Sequence, residues 1–270
     1  MLTSQQVEEY QRDGFVVVRA AQIFERPEDL ERVLGWCKEV CDWPEVPGKW
    51  MQYYERSLIT GARILNRVEK FFDFHAQLRD LFCSSPQEAG AAASSSAERQ
   101  DHPFEKIVAE AVGEPVVLFK EKINYKLAGG DAFKPHQDAQ AGWDRYGHTI
   151  HFNVLFAIDT ATLANGCLEL VRGRHREGLL GPMWEELPED VAGALPWEPV
   201  EMAPGDVILF NSYAPHRSAA NMTQQQRRAM YVTYNLASEG DFRELYFADK
   251  RASFPPDIER KPDAVYQYKI

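Results

Sequence analysis

The change in character at Gly113 constrains the fold of this chain more than any other feature of its sequence. Helical spacings of apolar residues dominate the part before it. The part after it consists of short apolar or alternating runs, separated by turns such as Asn165-Gly166 and Pro204-Gly205. Helices followed by many short strands with Gly and Pro turns are typical of an α+β chain. We therefore predict a β-sandwich or jelly-roll core.

No repeat and no linker divides the sequence, and 270 residues suit one sizeable domain. We predict a single domain over residues 1–270. Its parts are a helical N-terminal layer at about 1–112, a jelly-roll core at about 113–238 and a polar C-terminal tail at 239–270.

Within the N-terminal layer, Thr3 or Ser4 is expected to cap a first helix that ends at Gly14. Apolar spacings of three or four residues predict further helices over 27–42 and 64–82. The helix over 64–82 would carry His75 as a core or capping residue. Residues 84–100 are rich in Ser, Ala and Gln and predict a surface insertion. The sequence does not tell whether this insertion forms a lid over the pocket.

The net charge of −11 argues against nonspecific binding to nucleic acid or to an anionic membrane surface. The polar N-terminus does not resemble a signal peptide, and no apolar run reaches membrane-spanning length. The four Cys contain no Cys-x-x-Cys pair, so buried thiols are a better interpretation than a disulfide or a zinc site. These features predict a protein of the reducing cytoplasm, and they do not exclude an anionic substrate, because a local basic pocket can lie within an acidic surface. They leave its oligomeric state open.

His136 and Asp138 form a His-x-Asp pair between two segments that resemble strands. Side chains at i and i+2 of a strand point to the same face, so the imidazole and the carboxylate can converge on one point. Such a pair supplies two-thirds of the 2-His-1-carboxylate ligand set of Fe(II) enzymes. In a chain with 7 His, however, the spacing alone is close to chance.

His216 is the best candidate for a third ligand, because it follows an apolar strand that a jelly roll can bring against His136. Arg227 lies eleven residues further on, where its guanidinium can clamp a carboxylate with two parallel hydrogen bonds. Ser218 can add a hydroxyl donor. The alternative interpretation is that the histidines are structural residues and that Arg227 is an ordinary surface arginine.

Four motifs, in order along the chain, resemble the phytanoyl-CoA dioxygenase family of Fe(II)/2-oxoglutarate oxygenases, and the resemblance spans most of the sequence. The opening stretch from Leu2-Thr3 through Asp13-Gly14-Phe15 to Val18 is also similar to that family. The motifs are His136-Gln137-Asp138, then Asn165-Gly166-Cys167-Leu168 with Val171-Arg172-Gly173-Arg174-His175, then His216-Arg217-Ser218, and finally Arg227-Arg228-Ala229.

The resemblance implies a double-stranded β-helix core of the jelly-roll or cupin-like kind, flanked by N-terminal helices. It implies that His136, Asp138 and His216 bind Fe(II) and are the catalytic residues. Arg227, assisted by Ser218, would bind the distal carboxylate of the co-substrate 2-oxoglutarate. Oxidative decarboxylation with O2 would yield succinate and CO2 and hydroxylate a carbon of the substrate. The carboxylate of Asp138 speaks against a halogenase.

Three segments, 120–126, 136–139 and 249–257, resemble a bacterial branch of the family that hydroxylates aminoethylphosphonates, in particular the N-trimethyl form, (2-trimethylamino)ethylphosphonate, at carbon 1. A phosphonate dianion needs cations and amide donors, and a quaternary ammonium prefers aromatic faces. The expected substrate-binding residues are Lys120, Lys122, Asn124, Tyr125, Trp143, Tyr146 and Tyr213.

Two alternatives stay open at this point. One is a 2-oxoglutarate-dependent hydroxylase of another small metabolite or a natural-product scaffold. The other is a non-catalytic jelly-roll binding protein. For His148 and His151, surface positions or positions behind the metal ligands are better interpretations than ligation, and His175 fits a structural or pocket-edge position.

Overall fold

The structure is a computed structural model that describes residues 1–83, 103–148 and 150–266. The predicted insertion at 84–100 lies outside the described residues. No helix in the described part of the chain is long and apolar enough to cross a membrane. The helices are α1 (Ser4–Asp13), α2 (Ala20–Ile23), α3 (Pro27–Cys41), α4 (Ala76–Phe82), α5 (Pro103–Val112), α6 (Glu189–Ala194) and α7 (Arg243–Ser253).

Two antiparallel sheets form the core. The major sheet has seven strands in the order β1-β9-β6-β11-β4-β3-β2, and the minor sheet has four in the order β5-β10-β7-β8. This arrangement confirms the predicted α+β fold with a jelly-roll core. The strands are β1 (Phe15–Val18), β2 (Met51–Arg56), β3 (Arg63–Glu69), β4 (Val116–Lys126), β5 (Phe133–His136), β6 (Phe152–Ala157), β7 (Leu168–Leu170), β8 (Glu198–Val200), β9 (Val207–Asn211), β10 (His216–Ser218) and β11 (Arg227–Leu236).

The major sheet has two chemically different faces, because successive side chains of a strand alternate. Its outer face is apolar, and residues such as Val154 and Val232 pack there against Val33, Phe82 and Phe104 of the helical layer. Its inner face, toward the minor sheet, carries polar and charged side chains near β4. The apolar face holds the fold together, and the polar face is available for a site.

The N-terminal helix begins and ends as the sequence predicts. The Thr3 side chain accepts a hydrogen bond from the Gln6 backbone, and the Gln6 side chain accepts one from the Thr3 backbone. Gly14 ends the helix at φ +82°, where a Cβ would lie 2.4 Å from Nδ1 of His175. His175 therefore packs behind β1 as a structural residue.

The predicted helix over 64–82 is wrong in its first half. Residues 63–69 form β3, which pairs with β4, residues 72–74 form a 3-10 turn, and the α-helix covers residues 76–82 alone. Val68, Phe71 and Phe72 share a helical spacing. Lys70 between them adopts φ +56°, however, which is not a helical conformation and turns the chain after β3. The described part of the region 1–112 therefore contains three strands of the major sheet besides its helices. His75 caps α4 by accepting from the Leu78 backbone.

The segment that begins at residue 239 is more than the expected polar tail, because α7 packs against the middle of β4. Arg243 donates two bonds of 2.8 Å to the buried carboxylate of Glu121 and lies 2.9 Å from Asp73. Tyr246 and Phe247 bury their rings beside Phe119 of β4. The polar composition of the segment concealed this narrow apolar stripe.

Candidate metal centre and substrate cavity

The minor sheet brings the two candidate histidine ligands together. His136 ends β5, and His216 begins β10 directly opposite it in the antiparallel register. Asp138 follows two residues after His136, at the start of a 3-10 helix over Asp138–Ala141. The carboxylate therefore reaches the histidines from a helical turn and not from the strand that the His-x-Asp spacing suggested.

The donor atoms of these three residues surround one point. Nε2 of His136 lies 4.0 Å from Oδ1 of Asp138, and Nε2 of His216 lies 3.8 Å from Oδ2. The three donor atoms lie within 4.8 Å of one another. Two imidazoles and one carboxylate in this compact arrangement fit a single divalent ion with open positions, as in the Fe(II) facial triad.

Backbone carbonyls set the tautomer of both histidines. Nδ1 of His136 lies 2.6 Å from the Lys134 carbonyl, and Nδ1 of His216 lies 3.0 Å from the Ala214 carbonyl. A carbonyl accepts only, so each Nδ1 carries the proton and each Nε2 presents a lone pair. Burial, and then the facing His216, lower the pKa of His136 to about 3. The imidazoles are therefore neutral ligands at neutral pH.

A polar chain orients the carboxylate. Asn153 on β6 donates to Oδ2 of Asp138 at 3.0 Å, and Thr233 on β11 donates to the Asn153 amide oxygen at 2.7 Å. Burial alone raises the pKa of Asp138, but the facing His216 and then Lys122 lower it to about 2. The carboxylate is therefore held ionised and in a fixed rotamer before any metal binds.

Arg227 lies on the inner face of β11 and is only 1% exposed. Its Nε and Nη1 atoms are buried and have no hydrogen-bond partner in the described part of the chain. Ser218, also buried, stands two residues after His216. The neighbouring Arg228 instead holds Asp159 with two bonds of 2.8 Å. Buried guanidinium donors that lack an acceptor fit a bound carboxylate, so Arg227 and not Arg228 can hold 2-oxoglutarate.

A cavity of about 530 Å³ opens beside the triad. Its walls come from β3, β4, β5, the turns after Asp138, and α7. Six of its residues are aromatic, five are basic and two carry carboxylates. The lining residues are Arg67, Lys120, Lys122, Phe133, His136, Asp138, Ala141, Trp143, Arg145, Tyr146, Trp184, Tyr246, Asp249, Lys250, Ala252, Ser253 and Phe254.

Lys120 is a buried cation of this cavity. Its ammonium lies 3.9 Å from the centroid of the Trp143 ring and donates to the Tyr246 hydroxyl at 3.4 Å. Burial, and then the neighbouring Lys122, lower the pKa of Lys120 well below its usual range. A dianion in the cavity would favour the charged form of Lys120, because opposite charges stabilise each other strongly at a buried site.

The predicted substrate residues divide into two groups. Lys120, Lys122, Trp143 and Tyr146 line the cavity. Asn124 lies on the same inner face of β4, between Lys122 and Lys126, but outside the cavity lining.

Tyr125 and Tyr213 do not reach the cavity. Tyr125 points to the opposite face of β4, because neighbouring strand residues alternate, and it packs in the apolar core. Tyr213 lines a separate surface groove with Tyr10 and His175. The sequence proximity of these tyrosines to the metal motifs was therefore misleading.

Two glutamines next to Asp138 attach the chain segment 178–185, which forms a further wall of the site. Gln137 donates to the Gly178 carbonyl and accepts from the Leu180 backbone. Gln140 donates to carbonyls of segment 182–185 at 2.7 and 2.9 Å. Both glutamines are fully buried, so the chain at 178–185 is fixed to the same turn that carries Asp138.

Trp184 reaches the cavity mouth from this fixed segment. It is 38% exposed and adopts φ +68°, a conformation that is costly for a residue with a side chain. Its backbone N–H donates to the Gln140 carbonyl at 2.8 Å. A Cβ on Gly142 would lie 2.3 Å from the indole, so the glycine provides the space for the ring.

Several cavity residues escaped the sequence analysis, among them Arg67, Trp184, Tyr246 and Lys250. Arg67 was assigned to a helix, and Trp184 lies far from every motif. The stretch 249–257 did signal the contribution of α7, since it carried part of the resemblance to phosphonate hydroxylases. Its structural role was not apparent from spacing.

Known proteins are similar to this chain in sequence and in fold. The sequence model of the family described as Phytanoyl-CoA dioxygenase (PhyH) matches residues 10–229. A 2-aminoethylphosphonate dioxygenase from an uncultured bacterium is 38% identical over 263 residues, which cover 96% of this chain and 91% of the relative. A methylphosphonate hydroxylase from Gimesia maris is 38% identical over 256 residues, which cover 94% of this chain and 88% of the relative.

Among solved structures, EctD from S. alaskensis with 2-oxoglutarate and 5-hydroxyectoine superposes with a TM-score of 0.67 at 18% identity. The match covers 88% of this chain and 77% of EctD. EctD with bound Fe matches with a TM-score of 0.62 at 21% identity, over 88% of this chain and 78% of that one. These likenesses confirm the jelly-roll fold.

Proposed function

Because the chain belongs to the phytanoyl-CoA dioxygenase family, we propose that it hydroxylates a small organophosphonate of the 2-aminoethylphosphonate type. The chain is a dioxygenase of the kind that uses Fe(II), 2-oxoglutarate and O2. Within this class we propose (2-trimethylamino)ethylphosphonate as the substrate and its 1-hydroxy derivative as the product, with release of succinate and CO2.

In this proposal His136, Asp138 and His216 would hold Fe(II), and 2-oxoglutarate and O2 would bind beside them. The bound iron supplies the oxidising power for cleavage of a substrate C–H bond. Arg227 and Ser218 bind the distal carboxylate of 2-oxoglutarate, and the buried positions of both residues exclude water from that end. The protein then has to place one substrate carbon beside the iron.

The observation that carries the substrate class is the basic cavity within an acidic protein. The net charge of the chain is −11, yet the cavity is lined by five cations and two carboxylates, one of which is the metal ligand Asp138. Glu69 offsets part of this charge, because it lies 3.1 Å from Arg67 and 3.3 Å from Lys250. The remaining positive charge suits a phosphonate dianion.

The aromatic walls favour a quaternary ammonium at the other end of the substrate. Trp143, Tyr146, Trp184, Tyr246 and Phe254 face the same cavity. A trimethylammonium group has no N–H to donate, so aromatic faces stabilise it better than hydrogen-bond acceptors do.

A primary ammonium, in contrast, needs acceptors. Apart from the metal ligand, the carboxylate in the lining is Asp249, which already accepts from the Tyr146 hydroxyl at 2.7 Å. This balance supports the trimethyl form over the free amine.

A substrate series tests both levels of the proposal. Succinate formation is measured with Fe(II), 2-oxoglutarate and O2 in the presence of 2-aminoethylphosphonate, its mono-, di- and trimethylated forms, and methylphosphonate. The carboxylate analogue of the trimethyl compound serves as the matched control for the phosphonate group. We expect kcat/KM to rise with each methyl group and the carboxylate analogue to be a poor substrate.

Each outcome of the series has a definite meaning. If the primary amine has the highest kcat/KM, the trimethyl assignment is wrong and the aminoethylphosphonate class stands. If no phosphonate stimulates succinate formation while other small metabolites do, the substrate class is wrong. If neither any tested compound nor added iron changes the rate of 2-oxoglutarate consumption, the enzyme assignment for this site fails.

A further inference from the structure

Lys126 is a buried cation that the site described above does not use. It ends β4 directly opposite Arg227 on β11, with both side chains on the inner face of the major sheet. Lys126 is 2% exposed and Arg227 is 1% exposed. Two positive charges are therefore neighbours in a region that water does not reach.

The ammonium of Lys126 has neutral partners. It donates to Oγ of Ser218 at 2.7 Å and to the carbonyl of Ala219, and it lies 5.1 Å from the centroid of the Phe133 ring. In the described ranges no carboxylate lies within ion-pair distance of it. Like charges without an ion-pair partner are costly in a buried region, so a negative group from outside the chain would stabilise this arrangement.

The turn at Gly166 determines where the ammonium can lie. Gly166 adopts φ +78°, and a Cβ there would lie 2.3 Å from the Ala219 carbonyl oxygen and 3.2 Å from Cδ of Lys126. The turn therefore packs closely over the lysine stem. With its stem confined and its head bonded to Ser218, Lys126 has a defined position.

The bond from Lys126 to Ser218 also determines the direction of the Ser218 hydroxyl proton. An ammonium only donates, so the Ser218 oxygen accepts from Lys126 and its own single proton remains for another acceptor. The unpartnered Nε and Nη1 of Arg227 are further donors in the same region. A carboxylate is the acceptor that satisfies such a set.

We propose that Lys126 is a positioning residue for the co-substrate, which holds Ser218 with its proton toward the distal carboxylate of 2-oxoglutarate and adds a second positive charge beside Arg227. This inference rests on the proposed role of Arg227 in binding that carboxylate. It assigns the Asn165-Gly166 turn a function as well, namely to confine the lysine.

The charge environment of Lys126 provides an independent readout. Burial, and then Arg227 on β11, lower the pKa of Lys126 to about 7, while Glu55, Asp131 and Cys167 act in the opposite direction. A bound carboxylate stabilises the ammonium and raises this pKa. At pH 8 the protein should therefore take up a fraction of a proton when 2-oxoglutarate binds.

The test compares 2-oxoglutarate with 2-oxobutyrate, which keeps the keto acid and lacks the distal carboxylate. Binding to the Mn(II)-loaded protein is measured by calorimetry without O2, in buffers of different ionisation enthalpy. Lys126→Met should weaken 2-oxoglutarate binding by about 10- to 100-fold, as for loss of a hydrogen bond to a charged group, and leave 2-oxobutyrate within about twofold. Proton uptake should disappear in this variant.

Two variants complete the design. Lys126→Met should have a smaller effect in a Ser218→Ala background, because the part of its effect that passes through the Ser218 hydroxyl is already lost there. Lys38→Met is the matched control, since that lysine is exposed, lies on α3 and pairs with Asp42 at 2.7 Å. It should leave binding of both ligands unchanged.

The contrary outcomes are distinguishable. If Lys126→Met binds 2-oxoglutarate like the wild type, or weakens both ligands equally, the inference is wrong while the role of Arg227 stands. Absence of proton uptake by the wild-type protein at pH 8 also overturns it, whatever the variants do. If the wild type does not prefer 2-oxoglutarate over 2-oxobutyrate, the proposed co-substrate site fails together with the inference.

Discussion

Replacement of Asn153 by Ala tests how far the protein prepares its metal site. Asn153 is buried on β6 and donates to Oδ2 of Asp138 at 3.0 Å, while it accepts from the Thr233 hydroxyl at 2.7 Å. Asn153→Ala removes the donor and leaves the aspartate rotamer to be set by packing alone. The metal ligands themselves stay in place.

The expected magnitude follows from the kind of bond that is lost. A hydrogen bond to a charged group contributes about 1.5–3 kcal/mol, and partners of metal ligands contribute about 10- to 100-fold to metal affinity. We therefore expect Asn153→Ala to weaken Fe(II) or Mn(II) binding by about 10- to 100-fold. Thr233→Val removes only a neutral hydrogen bond one step further away, worth about 0.5–1.5 kcal/mol. It should weaken binding by less than about tenfold.

Metal affinity can be measured by competition with a chromophoric chelator, with thermal unfolding of the metal-free proteins as the control for folding. The reasoning is refuted if Asn153→Ala binds metal within twofold of the wild type. It is also refuted if Thr233→Val is the more damaging variant, because the order of effects should follow distance from the carboxylate.

Three further changes probe other parts of the structure. Arg227→Met should raise the KM for 2-oxoglutarate by about 100-fold or more, since truncation of one partner of a buried charge pair costs about 2–5 kcal/mol. Arg228→Met is the control and should leave that KM unchanged. Both values are measured by steady-state kinetics with saturating substrate. Gly142→Ala should displace Trp184 and raise the KM for the phosphonate while the KM for 2-oxoglutarate stays constant; equal changes in both would contradict a role confined to the substrate cavity. Arg243→Met should lower the free energy of unfolding by about 3–5 kcal/mol, because it leaves a buried carboxylate unpaired. Burial raises the pKa of that carboxyl. The folded state therefore binds the proton more tightly, and the loss should shrink as pH falls through the folded pKa in denaturant titrations.

The sequence could predict the fold class and the candidate metal ligands because both depend on local chemistry. Turns such as Asn165-Gly166 and alternating strands indicate an antiparallel β core, and the resemblance to the family narrows this core to a jelly roll. His136, Asp138 and His216 stand out because few residue types hold iron. The structure brings these three side chains together through one cross-strand pair, which a jelly roll supplies without further information.

The substrate cavity could not be predicted in the same way, because its walls depend on long-range packing. Arg67 reaches the cavity from a strand whose apolar spacing imitates a helix. Lys250 comes from a helix that Arg243 fixes to β4 through a contact 122 residues apart in sequence. Tyr125 was assigned to the site from its neighbours along the chain, although strand alternation turns it to the other face. Proximity in sequence predicts proximity in space only on the same face of the same element.

Incorporation of oxygen from ¹⁸O₂ tests the central claim most directly. The protein is incubated with Fe(II), 2-oxoglutarate and (2-trimethylamino)ethylphosphonate under labelled O2, and both products are analysed by mass spectrometry. A 2-oxoglutarate-dependent hydroxylase of this substrate should form succinate and 1-hydroxy phosphonate in equal amounts, each with one labelled oxygen. Succinate formation that is indifferent to the phosphonate, or a phosphonate that returns unhydroxylated, would contradict the account.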